Sequence, residues 1–287
     1  MKRKRLRDVL ADKLTPEELR KVYNSYDVIG DIAVIRLRDE LAEKAKIIAN
    51  AIMETQSRVK TVLRQVSPVS DVYRVRKLEW VLGERKTETE YKEFGCVFKV
   101  DLANMYFSPR LSNERIRIAR KVGEGEVVIN MFAGVGTYSI IIAKHSKPKK
   151  VYSIDINPEA VKYMKENIVI NKVQEAVIPI LGDAREVIER GLKRSADRIL
   201  MPLPERALDY LDCAVEALKP EGGWIHYYSF EHGKKRDEVI GKSKEKVSEK
   251  LRNLKVCFEF DEGRIVRETG PNWHQVALDI KVKRSVK

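Results

Sequence analysis

The sequence predicts an α/β protein, a doubly wound parallel sheet wrapped by helices and preceded by a smaller α+β module. From Glu114 onward, short β-branched runs alternate with helical stretches, the order expected of a parallel sheet with crossover helices. A glycine-rich turn, Ala133-Gly134-Val135-Gly136, directly follows the first of those runs and precedes a helix. Ahead of Glu114 the strand signals are mixed with helices and carry no such repeat.

Leu6, Val9, Leu10 and Leu14 share one helix face, and Thr15-Pro16-Glu17-Glu18 supplies an N-cap, a first-turn proline and an acidic first turn for a second helix. Tyr26 to Leu37 reads as a hairpin about Gly30-Asp31. Glu40 to Thr55 is an amphipathic helix, and Val59 to Val66, Tyr73 to Leu82 and Cys96 to Leu102 have strand composition. These readings divide the chain into a basic helical segment (1–25), an α+β module (26–105) and the parallel-sheet domain (106–287). In that domain the expected strands are Val127 to Ile129, Val151 to Ile154, Val177 to Leu181, Arg198 to Met201 and Gly223 to Tyr228. Val256 to Asp261 and Gln275 to Val282 close the far side.

The 287 residues include 56 Lys+Arg and 43 Asp+Glu, a formal charge of +13, with 43% hydrophobic residues, enough for real cores and against disorder. No apolar run approaches the roughly 18–20 residues of a membrane span, and the basic N-terminus lacks a signal-type stretch. A cytoplasmic protein is expected. Cys96, Cys213 and Cys257 are odd in number and far apart, which argues against a disulfide framework and a CxxC metal site. His145, His226, His232 and His274 show no H-x-x-H pairing, so no metal is expected; His226, on a buried strand, reads as a satisfied core residue. Basic residues cluster in the first seven positions, at Lys234, Lys235, Arg236, Lys242, Lys244 and Lys246, and at Lys281, Lys283, Arg284 and Lys287. They suit a polyanionic partner, with solvated surface as the alternative.

Gly134 and Gly136 let backbone approach a ligand at the sheet's carboxyl edge, while Ser139 stands where a dinucleotide fingerprint needs its third glycine, which disfavours nicotinamide. Asp155 ends the second strand, where a carboxylate accepts ribose hydroxyls, and Asp183 follows the third, where it can meet an adenine amino group. Each could instead be a helix N-cap. The fourth strand ends in Met201-Pro202-Leu203-Pro204, whose prolines stiffen a loop with carbonyls able to accept from a planar base.

These strand ends resemble the class I, Rossmann-like S-adenosylmethionine-dependent methyltransferases. Together with Tyr106-Phe107-Ser108-Pro109-Arg110-Leu111, Glu114-Arg115, Asp155-Ile156-Asn157-Pro158 and His226-Tyr227-Tyr228, the chain is similar over about residues 26–287 to the archaeal and eukaryotic tRNA guanine-37 N1-methyltransferases, relatives of the wybutosine-pathway transferases. The resemblance implies S-adenosylmethionine as cofactor, tRNA as partner through its anticodon loop, and an RNA-binding role for the N-terminal module. It implies Glu114 as general base, Arg74 as the group that stabilises charge on O6, and Pro202 beside the reacting base. Surface pairing of Glu114 with Arg117 or Arg110 is the alternative. It places Arg115, Tyr106, Phe132, Gly134, Gly136, Asp155, Ile156, Asp183, Ala184 and Pro202 around the cofactor, although Tyr106 and Phe132 also suit a plain core role.

The chain departs from that pattern at Asn130, where the family usually has Asp, and at Pro202, where plain N1-methylating members carry Asn. The Pro-Leu-Pro segment resembles an archaeal subgroup that also methylates C7 of 4-demethylwyosine, so dual activity is expected. An aminocarboxypropyl transferase using the same cofactor and a catalytically idle tRNA-binding module are the alternatives. With about 25 residues ahead of the first strand, the outer-corner tRNA-reading domain of longer relatives is expected to be missing. A monomer is expected.

Overall fold

A computed structural model describes residues 5–23, 25–68 and 72–283. The chain divides into two compact units between Pro109 and Arg110. Residues 1–4 and 284–287, which hold part of the terminal basic clusters, and Asp71 lie outside the described residues.

The first unit contains α1 (Leu6–Leu10), α2 (Pro16–Lys21), β1 (Asp27–Ile29), β2 (Ile32–Ile35), α3 (Ala45–Thr55), β3 (Thr61–Gln65), β4 (Leu78–Gly83), β5 (Glu88–Glu93) and β6 (Cys96–Asp101). Helix α2 begins at a capping box: the Glu18 N–H donates to the Thr15 hydroxyl at 3.2 Å, and the Thr15 N–H donates to the Glu18 carboxylate at 2.8 Å. β1 and β2 pair antiparallel about Gly30, whose φ of +57° is the left-handed value such a turn needs. Helix α3 carries the chain from β2 to β3, which pair in parallel, and β4 completes the sheet order β1-β2-β3-β4. Leu10, Leu14 and Val22 are buried in one cluster with Ile48, Ile52 and Val62. The expected break at residue 25 is therefore corrected: the first helices help to build the module's core.

Two strand readings change. The strand expected over Tyr73 to Leu82 shortens to β4, because Val72–Arg74 form a turn in which Arg74 takes φ +55°, outside the extended region. Strand β5, with the sequence Glu-Thr-Glu-Tyr-Lys-Glu, has no apolar alternation to announce it and buries only Thr89 and Glu93 fully. It is held by pairing to β6 across Phe94-Gly95, both at positive φ, as a two-residue hairpin turn requires.

The second unit contains α4 (Ser112–Lys121), β7 (Val127–Asn130), α5 (Thr137–His145), β8 (Lys150–Asp155), α6 (Pro158–Ile170), β9 (Val177–Leu181), α7 (Ala184–Val187), β10 (Arg198–Met201), α8 (Leu211–Ala217), β11 (Gly223–His232), α9 (Arg236–Asn253), β12 (Cys257–Gly270) and β13 (Trp273–Lys283). The strand order is β12-β13-β11-β10-β7-β8-β9, parallel from β9 through β11, with β13 inserted antiparallel between β11 and β12. Its core joins Ile129, Ile154, Ile199 and Ile225 from the central strands to Leu211 and Val215 of α8 and Val239 and Val247 of α9.

In the first unit a Cβ on Gly30 would stand 2.2 Å from Thr89 Oγ1 and 2.3 Å from the Glu90 carbonyl oxygen. Gly30→Ala combines this overlap with a left-handed φ, and should cost about 1–3 kcal/mol. Urea denaturation followed by circular dichroism checks it; an unchanged midpoint would show that the turn repacks freely.

Candidate active site

The order of the parallel strands reverses between β7 and β10, and in an open parallel sheet the ligand crevice forms outside the carboxyl ends at such a point. β7 ends there at Asn130, fully buried. Its amide nitrogen donates to Ser139 Oγ at 3.1 Å, and the Ser153 hydroxyl donates to the same oxygen at 2.7 Å. Asn130 Oδ1 is buried with no hydrogen-bond partner among the described residues. A buried acceptor left open costs about 1–3 kcal/mol, so this atom suits a ligand's N–H donor.

Beyond Asn130 the chain turns through Gly134 (φ +55°) and Gly136 (φ +86°) into α5. A Cβ on Gly136 would lie 2.9 Å from Met164 Cγ, so the loop can lie this close to α6 only with glycine there. The loop is fastened from β8: Gly134 N–H donates to Asp155 Oδ2 at 2.6 Å, and Asn157 N–H donates to Oδ1 at 2.9 Å. Burial pushes the Asp155 carboxyl up, against the pull of these donors. Ile156 is exposed just past it.

Asp183 is an N-cap. Its Oδ1 accepts the Arg185 N–H at 2.8 Å, opening α7 ahead of buried Ala184, and its Oδ2 accepts the Tyr210 hydroxyl at 2.5 Å. Tyr210 stands edge-on to Phe132 with ring centroids 5.2 Å apart, and burial together with Asp183 pushes its phenol up to about 12. Tyr210 is a residue that sequence reasoning missed; its one signal was an aromatic shortly after the proline loop. In that loop Leu203 N–H donates back to the Met201 carbonyl at 2.9 Å, and the Leu203 carbonyl accepts from Arg206 and Ala207. The expectation of outward carbonyls is therefore corrected at Leu203, whose oxygen is spent within the turn, while Pro202 stays half-buried.

Glu114, on the first turn of α4, is only 2% exposed. Arg117 donates to it as a fork, Nε to Oε2 at 2.9 Å and Nη2 to Oε1 at 2.7 Å, and the Tyr228 hydroxyl donates to Oε1 at 2.8 Å. The pairing with Arg117 is thus present but buried, not on the surface. The other edge of Arg117 grips Asp279, Nη1 to Oδ2 at 2.6 Å and Nη2 to Oδ1 at 3.1 Å. Asp279 also meets His226 Nδ1 at 2.6 Å, His226 Nε2 meets Arg198 Nη1 at 2.7 Å, and Arg198 forks onto Glu126 at 2.7 and 2.9 Å. A guanidinium only donates, so His226 Nε2 accepts and the imidazole is the neutral Nδ1–H form. His226 is a satisfied core residue, as expected.

Arg74 and Tyr106 meet within the first unit, the guanidinium carbon 4.3 Å from the ring centroid. Tyr106 therefore belongs to that unit, four residues ahead of the division and not inside the sheet domain. Arg115 is buried at 2% exposure beside Glu114. Of the basic residues singled out on α9, Lys242 pairs with Glu238 at 2.6 Å and Lys246 with Glu231 at 2.8 Å. Among the described residues no His, Cys, Asp or Glu cluster can hold a metal ion, and no helix is long and apolar enough to cross a membrane.

Residues 89–257 match the TRM5/TYW2 methyltransferase domain, and residues 6–87 match the TYW2 N-terminal domain. The chain belongs to the TRM5/TYW2 family. Within the family it is 42% identical to tRNA (guanine(37)-N(1))-methyltransferase Trm5b of Pyrococcus abyssi, over 93% of this chain and 78% of that protein. The crystal structure of that Trm5b aligns with a TM-score of 0.87 at 40% identity, covering 99% of this chain and 82% of that one. It is 35% identical to tRNA 4-demethylwyosine(37)-methyltransferase Taw21 of Saccharolobus solfataricus, over 92% of this chain and 96% of that protein. A complex of aTrm5 with tRNALeu aligns with a TM-score of 0.83 at 38% identity, covering 98% and 79% of the two chains. M. jannaschii TYW2 bound to AdoMet aligns at 0.67 and 30%, covering 91% and 100%. These family members share the class I fold built here around the strand-order reversal.

The buried ladder gives stability a pH dependence of fixed sign. Burial pushes His226 below its ordinary value despite Asp279, so the unfolded chain takes up a proton near pH 6.5 that the native chain refuses. Burial also opposes the Asp279 charge, but His226 and Arg117 outweigh it and hold this carboxyl well below the carboxylate range. Both contributions are present at neutral pH; the first is lost as pH falls below about 6.5 and the second below about 3.9. The urea midpoint should hold above pH 7 and decline between pH 6.5 and 5. A flat profile over that interval would contradict the neutral assignment of His226.

Proposed function

We propose that this chain transfers a methyl group from S-adenosylmethionine to N1 of guanine 37 in tRNA, and that its Pro-Leu-Pro loop also admits 4-demethylwyosine for methylation at C7. The observation that carries the reading is the open, buried Asn130 Oδ1 at the strand-order reversal, beside a glycine loop that only backbone can line. An amide oxygen there accepts from the amino group of the methionine moiety, as a carboxylate would, so the residues fit the cofactor. Gly134 and Gly136 lie against it, Asp155 holds the ribose side, and Asp183 with Phe132 and Tyr210 makes a wall for a planar base; Ile156 and Ala184 flank those carboxylates. The cofactor supplies an electrophilic methyl group on a sulfonium.

The chain's own residues deal with the proton. Guanine N1 loses its hydrogen as the new bond forms, and Glu114 is the acceptor. Among the described residues its Oε1 takes two donors, whereas Oε2 takes Arg117 Nε alone within hydrogen-bond distance, with Arg264 at 3.6 Å. One acceptor position on Oε2 therefore remains for N1–H. The family resemblance assigns charge that develops on O6 to Arg74, whose guanidinium is seated on Tyr106. The +13 charge suits tRNA. Similarity to Trm5b supports the N1 activity, and similarity to Taw21 supports the C7 activity.

Purified protein incubated with S-adenosylmethionine and either unmodified tRNA bearing guanine 37 or tRNA bearing 4-demethylwyosine should methylate both, as read by mass spectrometry of the nucleosides. Methylation of guanine alone would remove the second activity. An aminocarboxypropyl increment on the second tRNA, with nothing on the first, would replace the reading by the related transferase. Glu114→Ala should slow single-turnover methylation by about 10²–10⁴-fold while cofactor binding is retained.

A further inference from the structure

We infer that Asp279 is a positioning residue for Glu114, acting through Arg117 to fix the carboxylate and to offset the arginine's charge so that Glu114 can take a proton. The inference rests on the proposed role of Glu114 as base and deepens it.

A buried carboxylate gripped by a two-pronged arginine is ordinarily a poor base, because the fork stabilises its charged form. Here the same guanidinium is gripped as firmly from its opposite edge. Nε and Nη2 serve Glu114, while Nη1 and Nη2 serve Asp279, and Nη1 also reaches Glu262 at 3.2 Å. The Arg117 charge is therefore divided between two buried carboxylates, 2% and 1% exposed, with Lys121 adding a second cation at Asp279 and Arg264 a more distant one at Glu114. Shared in this way, Arg117 orients Glu114 without neutralising it outright.

Asp279 is well anchored for this task. His226 Nδ1–H donates to its Oδ1 at 2.6 Å, and Lys121 reaches its Oδ2 at 2.8 Å. Strand pairing seats it directly opposite His226 on β11 and Glu262 on β12. The other charged or titratable groups on this side come from the neighbouring elements: Arg115 and Lys121 from α4, Tyr138 from α5, Tyr228 from β11, and Asp261, Glu262 and Arg264 from β12. Lys121 bonds both Asp279 and Glu262, and Arg264 stands 3.6 Å from Glu114; Asp279 is the buried carboxylate bonded to Arg117 on one side and His226 on the other.

The test is Asp279→Asn, close in shape and without the charge. Single-turnover methylation of guanine-37 tRNA is followed as a function of pH beside the parent protein, with cofactor affinity measured in parallel. The plateau rate should fall at least tenfold, a part of the roughly 10²–10⁴-fold that a general base supplies, and the acidic limb should move to lower pH. Cofactor affinity should stay within about twofold. An unchanged rate and limb would overturn the inference, and so would a slower rate with the limb in place, which marks loose packing alone. If Asp279→Asn does not fold, Arg117→Lys decides: it keeps the charge but loses the two-edged fork, and the parent rate in that variant would overturn the inference. Glu114→Gln separates the layers. Parent activity in Glu114→Gln would end the base assignment itself, whereas an inactive Glu114→Gln with an unaffected Asp279→Asn would end only the role given to Asp279.

Discussion

A carboxylate held at 2% exposure must have its charge answered inside the protein, and the way Glu114 is answered organises much of the second unit. The response runs outward as an alternating ladder, Glu114, Arg117, Asp279, His226, Arg198 and Glu126. Those residues come from α4, β13, β11, β10 and the segment just before β7. They can form a row only because β13 enters antiparallel between β11 and β12, which brings Asp279 opposite His226 and Glu262 at once. Removing one rung leaves its neighbour charged and buried, a loss on the order of 3–5 kcal/mol, more than most apolar truncations at a strand edge. The ladder thus constrains the strand order as well as the site.

This constraint explains what could be read in the chain beforehand. The hairpin about Gly30, the Thr15 cap and the strands β7 to β11 depend on residues within a few positions of each other, and their composition announces them. The aspartates at strand ends were legible for the same reason, since Asp155 is the last residue of β8 and Asp183 comes two residues after β9. The ladder was not legible. His226 and Asp279 lie 53 positions apart, and Arg117 and Asp279 lie 162 apart, so only the register of β13 puts them in contact. Tyr210 was hidden likewise, because its hydroxyl meets Asp183 across 27 residues. Strand β5 was missed for a different reason: its burial comes from pairing, with no apolar pattern in its sequence.

On the proposed reading the strand-end carboxylates combine capping with ligand binding, two duties that sequence reasoning tends to set against each other. Asp155 pins the glycine loop through Gly134 and turns the chain into α6 through Asn157, and Asp183 caps α7 while holding Tyr210. A carboxylate has about four acceptor positions, so one or two structural bonds do not exhaust it. The structural bonds fix each group in place before any ligand is present, which reduces the ordering cost of binding. Helix capping and ligand binding are therefore compatible roles for these residues.

Product choice must come from elsewhere. Relatives at 42% and 35% identity carry names for methylation of guanine at N1 and of 4-demethylwyosine, so the shared scaffold and glycine loop cannot by themselves select the atom. On the proposed reading both reactions need a base, because a hydrogen leaves N1 in one and C7 in the other. What differs is which edge of the ring faces the methyl group. A side chain with its own donor at the end of β10 would lock one edge through a hydrogen bond; Pro202 has no donor, and the Leu203 N–H beside it is turned back to Met201. On the proposed reading such a loop selects the base by its shape and not by a hydrogen bond to a particular edge. On the proposed reading, a loop without a donor matched to one edge accepts a ring of either kind, and the cost of accepting two substrates is a weaker grip on each.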